Sequence, residues 1–254
     1  ERMPMTKPFA DQVALVTGGG TGIGRATSLM LGREGANVAV NYSKSRCDAE
    51  QTVDQLTAEN AEGVALQADV SDDGEVRRLV DQVVERFGRL DILVNNAGVT
   101  QLVPYSELED MTVDLWDRIM AVNARGTFLC SRAAIGAMRE SGGGQIINVS
   151  SITAYTGQGS CIAYAASKAA IVNITQALAF SQAPEIRVNG VAPGVVETRW
   201  IEGLEEFTEP HRQATPLQRL ATPEDVAQTI YGLAINEYIT GQTIMVEGGR
   251  MLQH

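Results

Sequence analysis

Residues 13–24 read VALVTGGGTGIG: the run Val13-Ala14-Leu15-Val16 is apolar and of strand length, and Thr17-Gly18-Gly19-Gly20-Thr21-Gly22-Ile23-Gly24 follows it directly. Beyond the loop, Ile23, Ala26, Leu29 and Met30 recur at helical spacing. Strand, glycine loop and helix in that order are the context in which a glycine motif carries weight. The glycines let the backbone come close to a pyrophosphate, and a helix N-terminus offers free N–H groups and partial positive charge. A tight turn without a ligand is the alternative reading.

The same alternation runs on through the chain. Further apolar runs at Val38–Val40, Gly63–Gln67, Ile92–Val94, Ile146–Val149, Arg187–Val191 and Gln242–Val246 read as strands. Between them lie helical patterns: about Asp48 to Glu59, the series Val76, Leu79, Val80, Val83, Val84 and Phe87, a long helix from Val113 to Glu140, and one through Tyr164 and Lys168 to about Gln182. A last helix opens at Pro223, where Glu224 and Asp225 suit the helix dipole. The alternation never breaks and no linker or repeat interrupts it. It predicts a single α/β domain over residues 12–254, a doubly wound parallel sheet (Rossmann fold) of about seven strands with helices on both faces. Residues 1–11 are expected to form an N-terminal tail, with Glu1 and Arg2 as an expression remnant. Residues 195–222 show little regular pattern and are expected to form a lid or substrate loop, whose Trp200, Ile201, Leu204, Phe207 and Leu217 either line a pocket for a hydrophobic carbonyl compound or anchor the lid to the body.

Composition narrows the function. The 254 residues carry a net charge of −11 with no offsetting basic cluster, which argues against nucleic acid and anionic membrane surfaces as partners. No apolar run reaches the ~18 residues of a membrane span, and the N-terminal residues lack the apolar core of a signal peptide. Cys47, Cys130 and Cys161 are odd in number and far apart, as expected of reduced thiols in a cytoplasmic protein. His211 and His254 are the only histidines, so no metal site is expected, nor a Ser-His-Asp triad built on Ser151.

The stretch Ser151 to Lys168, SITAYTGQGSCIAYAASK, carries the candidate chemistry. Tyr164 and Lys168 are four apart and share one helix face. An ammonium that close is expected to pull the phenol below its reference pKa of about 10 and fit it for proton transfer near neutral pH. Ser151 ends a buried strand, at the edge where open α/β sheets bind ligands. Taken alone, the Tyr/Lys pair reads equally as a solvated helix face, and Ser150-Ser151 as a strand-to-loop cap. Asn123 lies inside an apolar helical pattern, so its amide is expected to bond something specific.

The second strand ends without the acid that an NAD-binding protein would usually place there for the ribose 2′-OH. Ser43, Lys44 and Arg46 stand there instead and suit a 2′-phosphate, or form an ordinary basic loop. Asp69 follows the third strand and either accepts from an adenine amino group or opens the next helix. Asn95-Asn96-Ala97-Gly98 ends the fourth strand, where amides fix backbone and a glycine permits close approach.

In order and spacing, TGGGTGIG (17–24), NNAG (95–98), VN (122–123), SSITAY…K (150–168) and PGVVET (193–198) resemble the short-chain dehydrogenases/reductases, in the group similar to 3-oxoacyl-[acyl-carrier-protein] reductases. The resemblance runs from about Gln12 to Gly249. It implies that Tyr164 is the general acid/base, that Lys168 tunes it and holds the nicotinamide ribose, and that Ser151 rather than Ser150 binds the substrate oxygen. Asn123 would hold a water linking Lys168 to solvent. Gly18, Gly20, Thr21, Gly22, Ile23, Gly24, Tyr42, Ser43, Lys44, Asp69, Val70, Asn96, Ala97, Gly98, Pro193, Gly194, Val196 and Thr198 would contact the cofactor together with Tyr164 and Lys168. The cofactor is expected to be NADP(H), with NAD(H) as the alternative because Thr21 stands where many NADP-preferring members have Arg or Lys. The connections at 183–186 and 234–238 are shorter than is usual for the family.

These readings predict hydride transfer between the nicotinamide and a small ketone or secondary alcohol, in a homotetramer (or homodimer) built from helices 113–140 and 160–182 and the C-terminal strand. An alcohol dehydrogenase using NAD(H), a 3-oxoacyl-acyl-carrier-protein reductase and a non-catalytic nucleotide sensor are the alternatives. Residues 195–222 hold no basic cluster beyond Arg199, Arg212 and Arg219, which disfavours an acidic carrier-protein partner.

Overall fold

A computed structural model describes residues 7–252, so the predicted tail is seen only from Lys7, and residues 1–6 lie outside the described residues. Seven parallel strands form one sheet in the order β3-β2-β1-β4-β5-β6-β7: β1 Val13–Val16, β2 Asn37–Tyr42, β3 Gly63–Gln67, β4 Ile92–Asn95, β5 Gly144–Val149, β6 Ile186–Pro193 and β7 Thr243–Val246. Every connection between parallel neighbours needs a crossover, and helices supply them. They are α1 Gly22–Arg33, α2 Arg46–Ala58, α3 Asp73–Phe87, α4 Val113–Met120, α5 Gly126–Glu140, the short α6 Thr153–Thr156, α7 Ile162–Gln182, α8 Glu205–Gln213 and α9 Pro223–Ile235.

The strands are continuous apolar runs because both faces of the sheet are covered. Their period of two divides the core. Val13 and Leu15 of β1 pack with Val76, Leu79 and Val83 of α3 and with Leu129 and Met138 of α5 on one face. Ala14 and Val16 pack with Leu31 of α1, Leu56 of α2 and Ile230 of α9 on the other. A shift of one residue in register would exchange the two sets, so this alternation fixes register.

The order reverses at β1, which pairs with β2 on one side and β4 on the other. A crevice opens beyond the carboxyl ends of the strands at such a switch point. The candidate residues of the sequence lie there: the glycine loop follows β1, Asn96–Gly98 follow β4, and Ser150-Ser151 follow β5.

Two regions differ from the sequence reading. The long helix expected over Val113–Glu140 contains a π-turn at Ala121–Arg125, which carries the buried Asn123. The segment 195–222 is not irregular throughout, since it holds a 3-10 turn at Arg199–Ile201 and the helix α8. Pro210 inside α8 hides that helix from a propensity reading. Its charges were the available signal, with Glu205 and Glu206 in the first turn and His211 and Arg212 in the last. No described helix is long and apolar enough to cross a membrane.

Candidate active site

Steric contact fixes the glycine loop. A side chain at Gly24 would place its Cβ 2.2 Å from the Gly18 carbonyl oxygen and 2.5 Å from Asn96 Nδ2. Gly18 takes φ +60 and Gly22 φ +50, the left-handed region that favours glycine. Asn96 holds the loop against β4, its amide donating to the carbonyls of Thr17 and Gly18 at 3.0 and 3.1 Å. The backbone N–H groups of Asn96 and Ala97 both donate to Thr17 Oγ1. Asn41 was not singled out from the sequence. Its Oδ1 accepts from Gly18 N and its amide reaches the Leu66 and Ala68 carbonyls, and a polar residue at a buried strand end was the signal. The first turn of α1 has no side-chain cap and no acid, so its N–H groups face the crevice unclaimed by side chains. A close-approach loop beneath an uncapped helix start fits the pyrophosphate of a dinucleotide.

At the adenosine end the expected set divides. Ser43 and Lys44 are exposed after β2, and Lys44 has no ion pair among the described residues. Arg46 is instead the first residue of α2, and its guanidinium is held by Glu50 at 2.8 Å. The Tyr42 ring is buried in the core, which leaves only its backbone at the crevice. The Asp69 carboxylate, expected to receive an adenine amino group, is already occupied. Ser71 donates to it through N and Oγ, and Arg118 of α4 pairs with it at 3.2 Å. Burial raises its pKa, but the Ser71 and Arg118 contacts outweigh that and hold it below the usual carboxylate range. Arg118 lies 49 residues beyond Asp69, too far for sequence to reveal the pairing. Val70 packs against Gly126 of α5, and Pro193 and Val196 are buried beside the crevice with Gly194 and Thr198 partly exposed.

The chemistry-bearing residues converge. Ser150 Oγ is consumed by the Lys168 carbonyl at 2.8 Å, while Ser151 Oγ, beside the Tyr164 phenol, donates to the Pro193 carbonyl at 3.5 Å and accepts from Thr153 N at 3.2 Å. Lys168 Nζ donates to the Val149 carbonyl at 2.8 Å and stands 5.5 Å from the centre of the Tyr164 ring. Asn123, fully buried, accepts from Val99 N at 2.8 Å and donates to the Val99 carbonyl and to Ser167 Oγ at 3.0 Å each. Gly98 lies between the two amide and ammonium groups, its vacant Cβ position 3.5 Å from Asn123 Oδ1 and 3.8 Å from Lys168 Nζ. Cys161 caps α7, its sulfur accepting from Tyr164 N at 3.4 Å. Trp200, in the 3-10 turn, meets the Tyr164 ring edge-to-face with centroids 6.3 Å apart. Cys161 was not singled out as a site residue from the sequence, and Trp200 only as one of the apolar residues of the lid.

The electrostatics run opposite to the sequence expectation. Part of the Tyr164 ring meets solvent, yet its dense surroundings push the phenol up to about 12, and the Ser151 hydrogen bond offsets only part of that burial. Burial also pushes the Lys168 ammonium down to about 8. Desolvation disfavours the charged form of each group, and it is the largest cause of both shifts. Cys130 and Cys161 are buried and Cys47 exposed, all as free thiols.

Ser151, Tyr164 and Lys168 gather at the switch point of a Rossmann sheet, and the comparisons identify the family of oxidoreductases to which such a chain belongs. A family model described as Enoyl-(Acyl carrier protein) reductase matches residues 18–250. A Streptomyces violaceoruber protein assigned as ketoacyl reductase 2 of the granaticin polyketide synthase is 42% identical over 94% of this chain and 96% of its own. A 3-oxoacyl-[acyl-carrier-protein] reductase of Synechocystis is 40% identical over 95% and 97%. A solved short-chain dehydrogenase/reductase of Serratia marcescens superposes with a TM-score of 0.88 at 37% identity, covering 96% and 99%. The chain belongs to the short-chain dehydrogenase/reductase family.

Proposed function

We propose that the protein interconverts a ketone and a secondary alcohol with NADP(H), Tyr164 serving as general acid/base. The observation that carries this reading is the placing of the Ser151 hydroxyl beside the Tyr164 phenol at the sheet's carboxyl edge, with the Lys168 ammonium behind the ring. Bound nicotinamide would supply the hydride and, once oxidised, a positive charge beside the phenol. Ser151 donates a hydrogen bond to the carbonyl oxygen and orients it, and Tyr164 gives that oxygen its proton. Lys168 stabilises the phenolate left behind, and the phenol recovers a proton along the Lys168, Asn123 and solvent side of the site. Gly18–Gly24 and the start of α1 hold the pyrophosphate, and Lys44 meets the 2′-phosphate. NAD(H) use is the second reading, favoured by the pairing of Arg46 with Glu50, which leaves Lys44 as the single cation on that loop.

The substrate is read as a small, free carbonyl compound. The relatives named for acyl-carrier-protein substrates favour a carrier-bound one. Against it, each basic residue of the lid is already paired: Arg199 with Asp48, Arg212 with Glu197 and Glu209, and Arg219 with Asp225. An acidic carrier would find little positive field to dock on. The protein is read as a cytoplasmic single domain and as a homotetramer (or homodimer), the assembly because Trp116 and Phe128 of α4 and α5, Phe180 of α7, and Ile244 and Met245 of the edge strand are exposed.

The test is NADPH oxidation followed with free cyclic and aliphatic ketones and with an acetoacetyl thioester. Turnover of the free ketones at least equal to the thioester supports the reading. A clear preference for the thioester overturns the substrate class, and cofactor binding with no turnover on the whole panel would point to a nucleotide sensor.

A further inference from the structure

We propose that Arg199 reads the 2′-phosphate of NADP(H), reaching the adenosine end of the crevice from the turn that follows β6; the proposal rests on the reading of NADP(H) as the cofactor. Arg199 Nη1 pairs with Asp48 Oδ2 of α2 at 3.0 Å, although 151 residues separate them. Two close approaches put that pair at the glycine loop, beside Thr21. On one side, the vacant Cβ position of Gly20 is 2.8 Å from Ala49 N, and Thr52 Oγ1 donates to the Gly20 carbonyl at 3.3 Å. On the other, the vacant Cβ position of Gly22 is 3.2 Å from Thr198 Cγ2. Residues 20 and 22 are therefore held by α2 and by the Thr198 turn, and the Arg199–Asp48 pair joins the two.

Helix geometry decides which arginine serves. Successive residues of a helix turn by ~100°, so Asp48 and Thr52 share the face of α2 that meets the loop, while Arg46 lies about 200° round from Asp48. Arg46 stays with Glu50 on the solvent side, and the guanidinium at the loop belongs to Arg199. The loop has no charge of its own, since Thr17 to Gly24 are all neutral. Lys44, four residues before Asp48, is the nearest other cation in sequence without an ion pair among the described residues. A phosphate monoester carries nearly two negative charges at neutral pH, and Lys44 offsets one of them. Arg199 commits only Nη1 to Asp48, with its side chain 60% exposed. Its Nε and Nη2 have no partner among the described residues and leave a planar fork for phosphate oxygens.

Titration calorimetry with 2′,5′-ADP and 5′-AMP, which differ at the 2′-phosphate, tests this on wild type, Arg199→Gln and Asp48→Asn. Both side chains are more than a third exposed, so neither change endangers folding. Arg199→Gln should weaken 2′,5′-ADP by roughly 3- to 10-fold, as fits one charge-assisted contact at a partly exposed site, and 5′-AMP by less than about twofold. Asp48→Asn frees the guanidinium and removes a like charge from the phosphate, so it should tighten 2′,5′-ADP by about twofold or more.

Equal losses of both probes in the two variants would make the pair a strap between lid and α2 and overturn the proposal. Weaker 5′-AMP binding in Asp48→Asn alone would give Asp48 the unphosphorylated ribose and overturn it as well. The cofactor reading fails separately: a wild type that binds NADH more tightly than NADPH, with Arg199→Gln still losing 2′,5′-ADP selectively, removes that reading and leaves the Arg199 assignment standing. A wild type that prefers NADPH, with Arg199→Gln unchanged toward both probes, keeps the reading and overturns the proposal.

Discussion

Lys168 Nζ donates a hydrogen bond to the carbonyl of Val149, 2.8 Å away at the last residue of β5. The bond ties α7 to the sheet edge and holds a cation beneath the Tyr164 ring. It does so inside the protein, where burial lowers the lysine to about 8. A folded-state value below the ordinary 10.5 means that the unfolded chain binds more protons between those two values, so this group adds stability as pH rises through that window. Comparing wild type with Lys168→Met by urea unfolding from pH 8 to pH 10.5, the wild type should gain roughly 2–3 kcal/mol on the variant. A flat difference would mean that Lys168 titrates normally.

Lys44 and Arg46 are expected to separate as readers of the 2′-phosphate. Lys44 has no ion pair among the described residues, and Arg46 is held by Glu50. Lys44→Ala should weaken NADPH binding roughly tenfold and leave NADH unchanged, the value of one charge-assisted contact. Arg46→Ala should have the smaller effect. Titration calorimetry with both cofactors checks this, and equal losses for NADPH and NADH would remove Lys44 from the phosphate site.

Asn123 has a structural cost attached to it. Asn123→Ala would strip partners from the Val99 N–H and carbonyl and from Ser167 Oγ in a buried site. Stability should fall by about 2–4 kcal/mol in urea unfolding. A loss below about 0.5 kcal/mol would show that water replaces the amide.

The strands were legible because buried parallel strands are written as apolar runs, and Val13–Val16 and Gly63–Gln67 coincide with β1 and β3 to the residue. Ser151, Tyr164 and Lys168 stood out through spacing on one strand end and one helix face. What escaped depends on contacts between distant segments. Arg118 neutralises Asp69 from another helix, and the π-turn at Ala121–Arg125 interrupts a helix that the apolar period reads as continuous. The Tyr164 phenol is raised where the spacing suggested a lowered one, because spacing reveals a neighbouring charge and not burial. Trp200 was legible only as one apolar residue of the lid, because the folded lid alone brings it to Tyr164.

The account rests on Tyr164 as the proton donor, and single-turnover reduction by preformed NADPH complexes of wild type and Tyr164→Phe tests that most directly. The variant should bind NADPH within about twofold of wild type, because the phenol makes no claim on the glycine loop or Lys44, while losing the general acid should slow reduction by ~10²–10⁴-fold. A variant that kept more than about a tenth of the wild-type rate would contradict the assignment of Tyr164.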